Sequence, residues 1–207
     1  MDPKWLEWAR RLQALAQSGL TYSENPFERE RYEQVREIAS EMMAAQSDET
    51  AERVAALFAG ETGYATPKVD GRGVVFDEQG RILLVRELRD GGWTLPGGFA
   101  DVGDTPSQAV EREVREESGY EVKAVKLLAL YDRTKHGPVP ARPWHIYKVF
   151  LRCELLGGGP KDSHETAGAR FFGEHEVPDL SNGRTTPKQL ARMFEHFRNP
   201  NLPADFD

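Results

Sequence analysis

The stretch GGFADVGDTPSQAVEREVREESGY, residues 97–120, fixes a short helix at both of its ends. Thr105 belongs to the residue types that cap helix N-termini, and the glutamine three positions later completes a capping box. Pro106 suits the first helical position, and Gly119 supplies the permissive backbone that helix C-termini favour. The pattern predicts a helix over 106–118, preceded by a glycine-rich turn.

This predicted helix lies in a strongly acidic stretch, which holds six acidic and two basic residues. Glu113, Glu116 and Glu117 stand at positions i, i+3 and i+4, so their carboxylates project from one side of the helix. Like charges at this spacing destabilise a helix unless something neutralises them. One interpretation is a solvated face on which Arg112 and Arg115 pair with the glutamates.

The turn before the helix favours a second interpretation of the acidic cluster. The segment WTLPGG ends in two glycines, which let the backbone approach a ligand closely and expose its carbonyl oxygens. A glycine-rich turn followed by three clustered carboxylates offers an all-oxygen site to a hard divalent cation, Mg2+ or Mn2+. Such a cation would neutralise the acidic side chains.

The same stretch resembles the Nudix box, G-x5-E-x7-R-E-U-x-E-E-x-G-U, where U is a bulky aliphatic residue. Seven of the nine defined positions are kept, in register from Gly98. Asp104 replaces the first glutamate, and Tyr120 replaces the last aliphatic residue. Because the family's first glutamate mainly supports the box arginine, we expect Asp104 to reach Arg112 through its shorter side chain.

The resemblance implies metal-dependent hydrolysis of a nucleoside diphosphate linked to another moiety, on a mixed sheet sandwiched between helices. It assigns four metal ligands, namely the carbonyl of Gly97 and the carboxylates of Glu113, Glu116 and Glu117. Glu113 and Glu116 are also its catalytic candidates. The structural support of the box falls to Gly98, Asp104, Arg112 and Gly119.

Relatives also take an acid from outside the box, six residues before an aromatic residue. The segment HETAGARFF offers Glu165, which precedes Phe171 by six positions. Glu165 is therefore the candidate general base or further metal ligand, and an exposed loop acid is the alternative. His164 and Asp162 are weaker candidates for the same role.

Two arginines near the box are candidate ligands of the diphosphate. Arg72 lies in DGRGVV and Arg86 in LLVRELR, before the glycine-rich turn. A guanidinium group binds phosphate oxygens in a bidentate manner. The alternative for each is an outward-facing strand residue with no ligand.

The hydrophobic pattern changes near residue 60. Before it, three helical patterns begin at Asp2-Pro3, at Asn25 with Glu28 as a capping-box acid, and at Ser47; the first is expected to end at Gly19. After Gly63 the pattern alternates strands with helices and predicts one sheet flanked by helices. The predicted elements are a hairpin turning at Gly80, strands over 122–131, 143–156 and 168–173, and a last helix capped by Thr186. The predicted architecture is α+β, with an N-terminal helical domain at 1–62 and a Nudix hydrolase domain at 63–207.

Segments outside the box resemble a Nudix subgroup that carries an N-terminal helical domain and includes bacterial CDP-choline pyrophosphatases. The segments are KWLEWARRLQALAQSGLTY, ERYEQVREI, GYATPKVDGRG and PDLSNGRTTPKQL. This resemblance implies conversion of CDP-choline and water to CMP and phosphocholine, by a homodimer joined through its N-terminal helices. The alternatives are hydrolysis of ADP-ribose or another nucleotide sugar, processing of RNA ends, and a non-catalytic ligand sensor.

Composition restricts the partners of the chain. The net charge is −7, and residues 1–60 hold seven basic and eleven acidic residues, which argues against DNA as a partner. A locally basic groove would still admit RNA. One cysteine, no secretory segment and no long apolar run predict a cytoplasmic protein without a membrane span.

Overall fold

The N-terminal region is built from three helices. The computed structural model describes residues 3–136, 143–181 and 183–207. Helices α1 (Lys4–Tyr22), α2 (Pro26–Ala44) and α3 (Ala51–Ala59) belong to one compact unit, which comprises the described residues up to Pro67 together with 143–145. Its interior holds Leu6, Ala9, Ala16, Ala39, Met43, Val54 and Phe58.

The first helix is longer than the sequence pattern predicted. It continues through Gly19 to Tyr22, so the prediction that Gly19 ends it was wrong. A Cβ atom at Gly19 would lie 2.4 Å from the ring of Tyr32 on α2. The glycine therefore allows the two helices to pack closely. The predicted cap Asp2 lies outside the described residues.

The starts of the next two helices agree with the sequence only in part. Asn25 caps α2 by accepting a hydrogen bond from the second helical residue, as predicted. Glu28 forms no capping box, because it accepts a hydrogen bond of 2.7 Å from the Ser23 hydroxyl. Thr50 caps α3, so the prediction of Ser47 was wrong. Ser47 instead holds the turn before that helix by accepting from the backbone N–H two residues later.

The second compact unit comprises the remaining described residues from Lys68 onwards. Its seven strands form a four-stranded sheet of order β1-β5-β4-β7 and a three-stranded sheet of order β3-β2-β6. β1 pairs with β5 in parallel, whereas β4 with β5 and β2 with β6 are antiparallel. The elements are β1 (Lys68–Val75), β2 (Ile82–Glu87), β3 (Trp93–Thr94), α4 (Pro106–Ser118), β4 (Tyr120–Asp132), α5 (Arg133–His136), β5 (Ile146–Gly158), β6 (Thr166–Phe172), α6 (Pro187–Arg198) and β7 (Asp205–Phe206).

The first two strands do not form the predicted hairpin. The turn at Gly80 exists, since its N–H donates to the Asp77 carbonyl at 3.0 Å. However, β1 and β2 lie in different sheets and share one isolated bridge, between Phe76 and Ile82. Because β1 pairs with β5 along its whole length, the chain changes sheets at the turn.

The α+β architecture is confirmed, but the prediction of one sheet was wrong, because the chain changes sheets between β1 and β2. Strands β1 and β2 are buried on both faces along most of their length. Alternate side chains of each strand point to opposite faces. Val74, Leu84 and Phe150 join one cluster with α6, while their neighbours join another with α4. Helices α4 and α6 therefore cover opposite faces of the β-structure. No helix in the described part of the chain is long and apolar enough to cross a membrane.

Strand β7 is held to the rest of the unit by Asp205. This carboxylate accepts hydrogen bonds from Arg192 Nε at 2.6 Å and Nη2 at 2.7 Å, and from the Tyr131 hydroxyl at 2.9 Å. His196 Nε2 lies 3.3 Å away. The Arg192 guanidinium holds the pKa of the Asp205 carboxyl well below its usual range. The cluster ties β7, α6 and β4 together.

We predict that Asp205→Asn lowers the free energy of unfolding by about 2 kcal/mol at pH 7, because it removes charge-assisted hydrogen bonds. Since the folded-state pKa is lowered, the contribution of Asp205 is complete above about pH 4 and is lost as the pH falls further. The difference between wild type and variant should therefore shrink in acid, as measured by urea unfolding. Glu195→Gln, which removes an exposed partner of the same arginine, is the matched control and should cost less than about 1 kcal/mol. A difference that persists unchanged at pH 3 would contradict this role.

Candidate active site

Helix α4 has the ends that its sequence specifies. Thr105 and Gln108 form a complete capping box, and Pro106 occupies the first turn. Gly119 adopts a left-handed conformation, with φ of 78°, and its N–H donates to the Arg115 carbonyl at 2.9 Å. A Cβ atom at Gly119 would lie 2.4 Å from a backbone carbonyl. These ends place all three acids of the cluster within the helix.

Arg112 lies at the centre of the charged face of α4. Its guanidinium donates to Glu113 at 2.7 Å and to Glu116 at 3.4 Å. The same group lies 3.3 Å from Asp104 and 3.2 Å from Asp101. The expected contact between Asp104 and Arg112 is therefore present, despite the shorter acid. The pairing with two glutamates also matches the interpretation of this face as a network of ion pairs.

Strand β1 holds the glycine-rich loop before α4 in place. The Gly71 N–H donates to the Gly98 carbonyl at 2.8 Å, and the Gly73 N–H donates to the Pro96 carbonyl at 2.9 Å. Gly97 has a φ of 143°, which side chains rarely tolerate. A Cβ atom at Gly97 would lie 2.0 Å from the carbonyl oxygen of Gly71. Close backbone contact therefore requires glycine here.

Glu117 connects the loop to α4. Its side chain is buried, at 5 % exposure, and it accepts a hydrogen bond of 2.8 Å from the Gly97 N–H. Burial raises the pKa of Glu117 to about 7, although the nearby Arg72 guanidinium and the Gly97 N–H act in the opposite direction. A carboxylate in this setting gains from any further positive charge.

The other two acids of the cluster differ in exposure. Burial raises the pKa of Glu113, while its bond to Arg112 lowers it. Glu116 has a side chain that is 54 % exposed. A Cβ atom at Gly98 would lie 2.9 Å from the Glu113 carboxylate, so glycine leaves room beside this group. The structure thus places a buried, a half-buried and an exposed acid side by side.

The donor atoms fit a hard divalent cation, because carboxylate and carbonyl oxygens are the ligands that Mg2+ and Mn2+ prefer. The room beside Gly98 and the burial of Glu117 agree with this fit. Across residues 3–136, 143–181 and 183–207, however, no three His, Cys, Asp or Glu side chains are already grouped around a metal position. Arg112 neutralises Glu113 and Glu116 in this arrangement. A bound cation would therefore have to replace the guanidinium at these two carboxylates.

The structure corrects the prediction that Arg72 binds the diphosphate. Arg72 is 4 % exposed, and its Nη2 atom forms an ion pair of 2.8 Å with Asp70. Its Nη1 atom donates to the Leu95 carbonyl at 3.1 Å. Because residues two apart on a strand share a face, Asp70 and Arg72 both point into the unit. The guanidinium thus binds partners within the protein and is not available to a diphosphate.

Arg86 is exposed, as a ligand-binding arginine must be. Its Nε atom donates to the Gly91 carbonyl at 3.1 Å. This bond anchors the side chain at the turn between β2 and β3, whose strands pair through Arg86 and Trp93. Arg86 remains a candidate for phosphate binding.

Glu165 lies beside the last residues of β2. Its side chain is exposed, its N–H donates to the Ser163 hydroxyl at 3.1 Å, and its carbonyl accepts from Leu88 at 2.9 Å. The neighbouring acid is Glu87, which is 2 % exposed. Burial raises the pKa of Glu87, and the nearby charge of Glu165 adds to this effect, against the influence of Arg184. Both His164 and Asp162 are also exposed.

Sequence reasoning missed several buried charges that lie near the acidic cluster. Glu87 pairs with Arg184 at 3.0 Å, and Lys148 lies 3.5 Å from Asp70 and donates to the Arg184 carbonyl. Burial lowers the pKa of Lys148 to about 7. The sequence signal for Glu87 was its position two residues after Val85, on the inward face of a buried strand.

Together, the sandwich and the carboxylate-bearing helix behind a glycine-rich loop have the arrangement that the resemblance to the Nudix box implied. A family model described as the NUDIX domain matches residues 67–194. A second model, described as a UDP-X-like N-terminal oligomerisation domain, matches residues 3–58. The chain belongs to the Nudix family and is a Nudix pyrophosphohydrolase. Enzymes of this family generally use divalent metal ions.

Individual relatives resemble the chain over most of its length. A Bacillus subtilis protein named "Putative ADP-ribose pyrophosphatase YjhB" is 45% identical over 207 residues, covering 100% of this chain and 99% of that protein. The crystal structure of a UDP-X diphosphatase has a TM-score of 0.63 and 32% identity, covering 98% of each chain. That of an ADP-ribose pyrophosphatase from Streptococcus suis has a TM-score of 0.62 and 39% identity, covering 69% of this chain and 100% of that one.

We predict that Gly97→Ala destroys the active site, because both its φ and the contact with the Gly71 carbonyl exclude a side chain. Divalent-metal binding and turnover should fall at least tenfold, as measured by calorimetric titration with Mn2+ and by initial rates. Gly103→Ala is the matched control, since Gly103 also has a positive φ, of 101°, but open space around it. It should keep most of the activity. Equal losses in both variants would show that general backbone strain, and not this contact, is responsible.

Proposed function

We propose that the acidic face of α4 and the Gly97 loop form a metal-dependent site for diphosphate hydrolysis. The supporting observation is the hydrogen bond from the Gly97 N–H to Glu117, which brings the loop and the helix together at 2.8 Å. In this proposal the cation, Mg2+ or Mn2+, is held by the Gly97 carbonyl and by Glu113, Glu116 and Glu117. When bound, such a cation neutralises phosphate charge and lowers the pKa of a coordinated water molecule.

The surrounding residues have supporting parts in this proposal. Asp104 and Asp101 hold Arg112, so that the guanidinium keeps a partner when it leaves the glutamates. Gly98 keeps space beside Glu113, and Gly119 fixes the end of the helix. These groups orient the carboxylates without contacting the substrate.

Two exposed residues are proposed to act on the substrate or water. Glu165 is the candidate base that accepts a proton from the attacking water, or a further metal ligand, and its exposed side chain is free to do so. Arg86 is the candidate phosphate ligand, because its Nε anchor to Gly91 leaves the end of the guanidinium for a phosphate group.

We predict that Glu116→Gln and Glu117→Gln each lower the maximal rate at least about 100-fold, because loss of a ligand should exceed the 10–100-fold effect of an outer-shell change. Glutamine keeps the size of the side chain, so thermal unfolding should show a folded protein. Calorimetric titration with Mn2+ should show weakened binding. Glu111→Gln is the control on the same helix, since Glu111 bonds the Ala124 N–H on another face. Full activity of the two variants at saturating metal would refute the assignment.

We propose ADP-ribose as the first substrate, because a full-length relative at 45% identity bears that name. CDP-choline, which the subgroup resemblance implies, and other pyrimidine nucleoside diphosphates are the second candidate, favoured by the match to a UDP-X diphosphatase over 98% of both chains. Two of the aromatic side chains already have partners within the protein and give choline little support. Trp93 packs on Phe172 at 4.8 Å, and Tyr131 is buried and bonded to Asp205.

We predict that a panel of ADP-ribose, CDP-choline, UDP-glucose and an RNA with a modified 5′ end shows the highest kcat/KM for ADP-ribose. The products should be AMP and ribose 5-phosphate, measured by chromatography. A preference for CDP-choline or the uridine compound would replace ADP-ribose with the second candidate. Metal binding without turnover of any compound would instead favour the ligand sensor. The Glu116→Gln variant is the blank for contaminating phosphatases.

We also propose that the helical region, residues 1–62, joins two copies of the chain as a homodimer and contributes to substrate contacts. The matching family model for residues 3–58 describes an oligomerisation domain. Large apolar side chains on these helices are exposed in the single chain, namely Trp8, Leu15, Tyr22, Phe27, Ile38 and Leu57. Their burial between two copies would be favourable. The boundary with the hydrolase domain at 63–207 and a cytoplasmic location stay predictions.

A further inference from the structure

We propose that Arg72 is a positioning residue, anchored by Asp70, that fixes the backbone of the loop 95–98 for metal binding. The inference rests on the proposed function of the acidic face of α4. It assigns a role to a buried ion pair that lies outside the box and that cannot itself bind the diphosphate. Arg72 acts on the metal through the loop and not by contact.

The Arg72 side chain reaches both the loop and its anchor. Its Nη1 atom donates to the Leu95 carbonyl at 3.1 Å, while Nη2 is fixed by Asp70 at 2.8 Å. The planar guanidinium holds both partners at once, which gives it a defined orientation. The loop is thereby tied to β1 by a side chain as well as by its backbone.

Three consecutive residues of β1 hold the same loop. Gly71 and Gly73 donate to the carbonyls of Gly98 and Pro96, and Arg72 donates to that of Leu95. The remaining carbonyl of the loop belongs to Gly97, the proposed metal ligand. The carbonyls of Pro96 and Gly98, on either side of it, are both held by β1. Because peptide units are planar, holding these two carbonyls also fixes the direction of the Gly97 carbonyl.

Burial of the charged anchor carries a desolvation cost in free energy. Asp70, Arg72 and Lys148 are 7 %, 4 % and 1 % exposed, and the Nε atom of Arg72 is buried without a hydrogen bond among the described residues. Well-packed apolar residues often replace buried ion pairs without loss of stability. Stability alone therefore gives no reason for a charged side chain at position 72, whereas a fixed geometry at the loop does.

The test compares Mn2+ binding in Arg72→Lys, Arg72→Met and Asp70→Asn with binding in the wild-type chain. Calorimetry or electron paramagnetic resonance of free Mn2+ gives the dissociation constant without reference to activity. All three variants should bind Mn2+ about 10- to 100-fold more weakly, the range typical of outer-shell residues. The metal concentration for half-maximal rate should rise in parallel, while the substrate KM at saturating metal stays unchanged.

Arg152→Lys is the matched control for loss of a partly buried arginine on the partner strand. Arg152 lies over the rings of Phe76 and Phe197, at 4.8 Å and 5.4 Å from their centroids. Its replacement should lower the melting temperature and leave Mn2+ affinity unchanged. Asp70→Asn keeps the shape of the anchor, so it tests the pair even if the Arg72 variants unfold.

The outcomes separate this inference from the proposed function. If folded Asp70 and Arg72 variants bind Mn2+ as the wild type does, the positioning role is overturned and the metal site stands. If the wild-type chain itself binds no Mn2+ and Glu117→Gln changes nothing, the proposed function fails first. If the Arg152 control loses Mn2+ affinity equally, the effect is one of general stability, which also overturns the inference.

Discussion

The backbone pairing between β1 and the loop 95–98 is the constraint on which the site depends. The N–H groups of Gly71 and Gly73 on β1 donate to the loop at 2.8 and 2.9 Å, and the Gly71 carbonyl oxygen leaves no room for a side chain at Gly97. The N–H of Gly97 is thereby presented to Glu117, which becomes buried at the contact with α4. The acidic cluster, the loop and the strand are consequently one unit, and none of them is placed independently of the others.

The charges around this unit are arranged in layers of decreasing exposure. Glu116 and Asp101 face solvent, Arg112 joins them to Glu113, and Glu117 lies beneath. The buried cations Arg72 and Lys148 also balance the buried Asp70. Burial disfavours each of these charges separately, so they are stable only as a set. For Glu117 the effect of burial exceeds that of the nearby Arg72, so the pKa of its carboxyl group is raised.

Local signals in the sequence were sufficient for the box helix and its caps. The capping box at Thr105, the stop at Gly119 and the contact between Asp104 and Arg112 were all predicted, because each depends on residues close together in the chain. The prediction of a hairpin at Gly80 was wrong, because strand pairing depends on residues far apart in the chain. Whether two consecutive strands pair depends on a distant partner, here β5, and no local pattern encodes that choice.

The same limit explains the errors at individual residues. Glycine commonly ends helices, which is why Gly19 was predicted to end α1. The ring of Tyr32 on the next helix lies against Gly19, and the sequence pattern of α1 alone cannot reveal this contact. Arg72 had the chemistry of a phosphate ligand, but its burial follows from pairing with Asp70 on the inward face of β1. The roles that a residue type can take are therefore evident from the sequence, whereas the direction of its side chain depends on contacts that the sequence pattern does not reveal.

Strand β7 carries a consequence for how the molecule behaves when it opens locally. It covers β4 only at Ala129 and Leu130, and the segment before it is held to the same strand through Lys126, which donates to the carbonyls of Pro200 and Leu202. If this segment detaches, the edge of β4 at Ala129 and Leu130 is uncovered, beside the apolar side chains of Val125 and Leu127, which are already exposed. Such an edge is a template for pairing with another chain. Because Asp205 holds β7 in place beside β4, its interactions oppose self-association as well as unfolding.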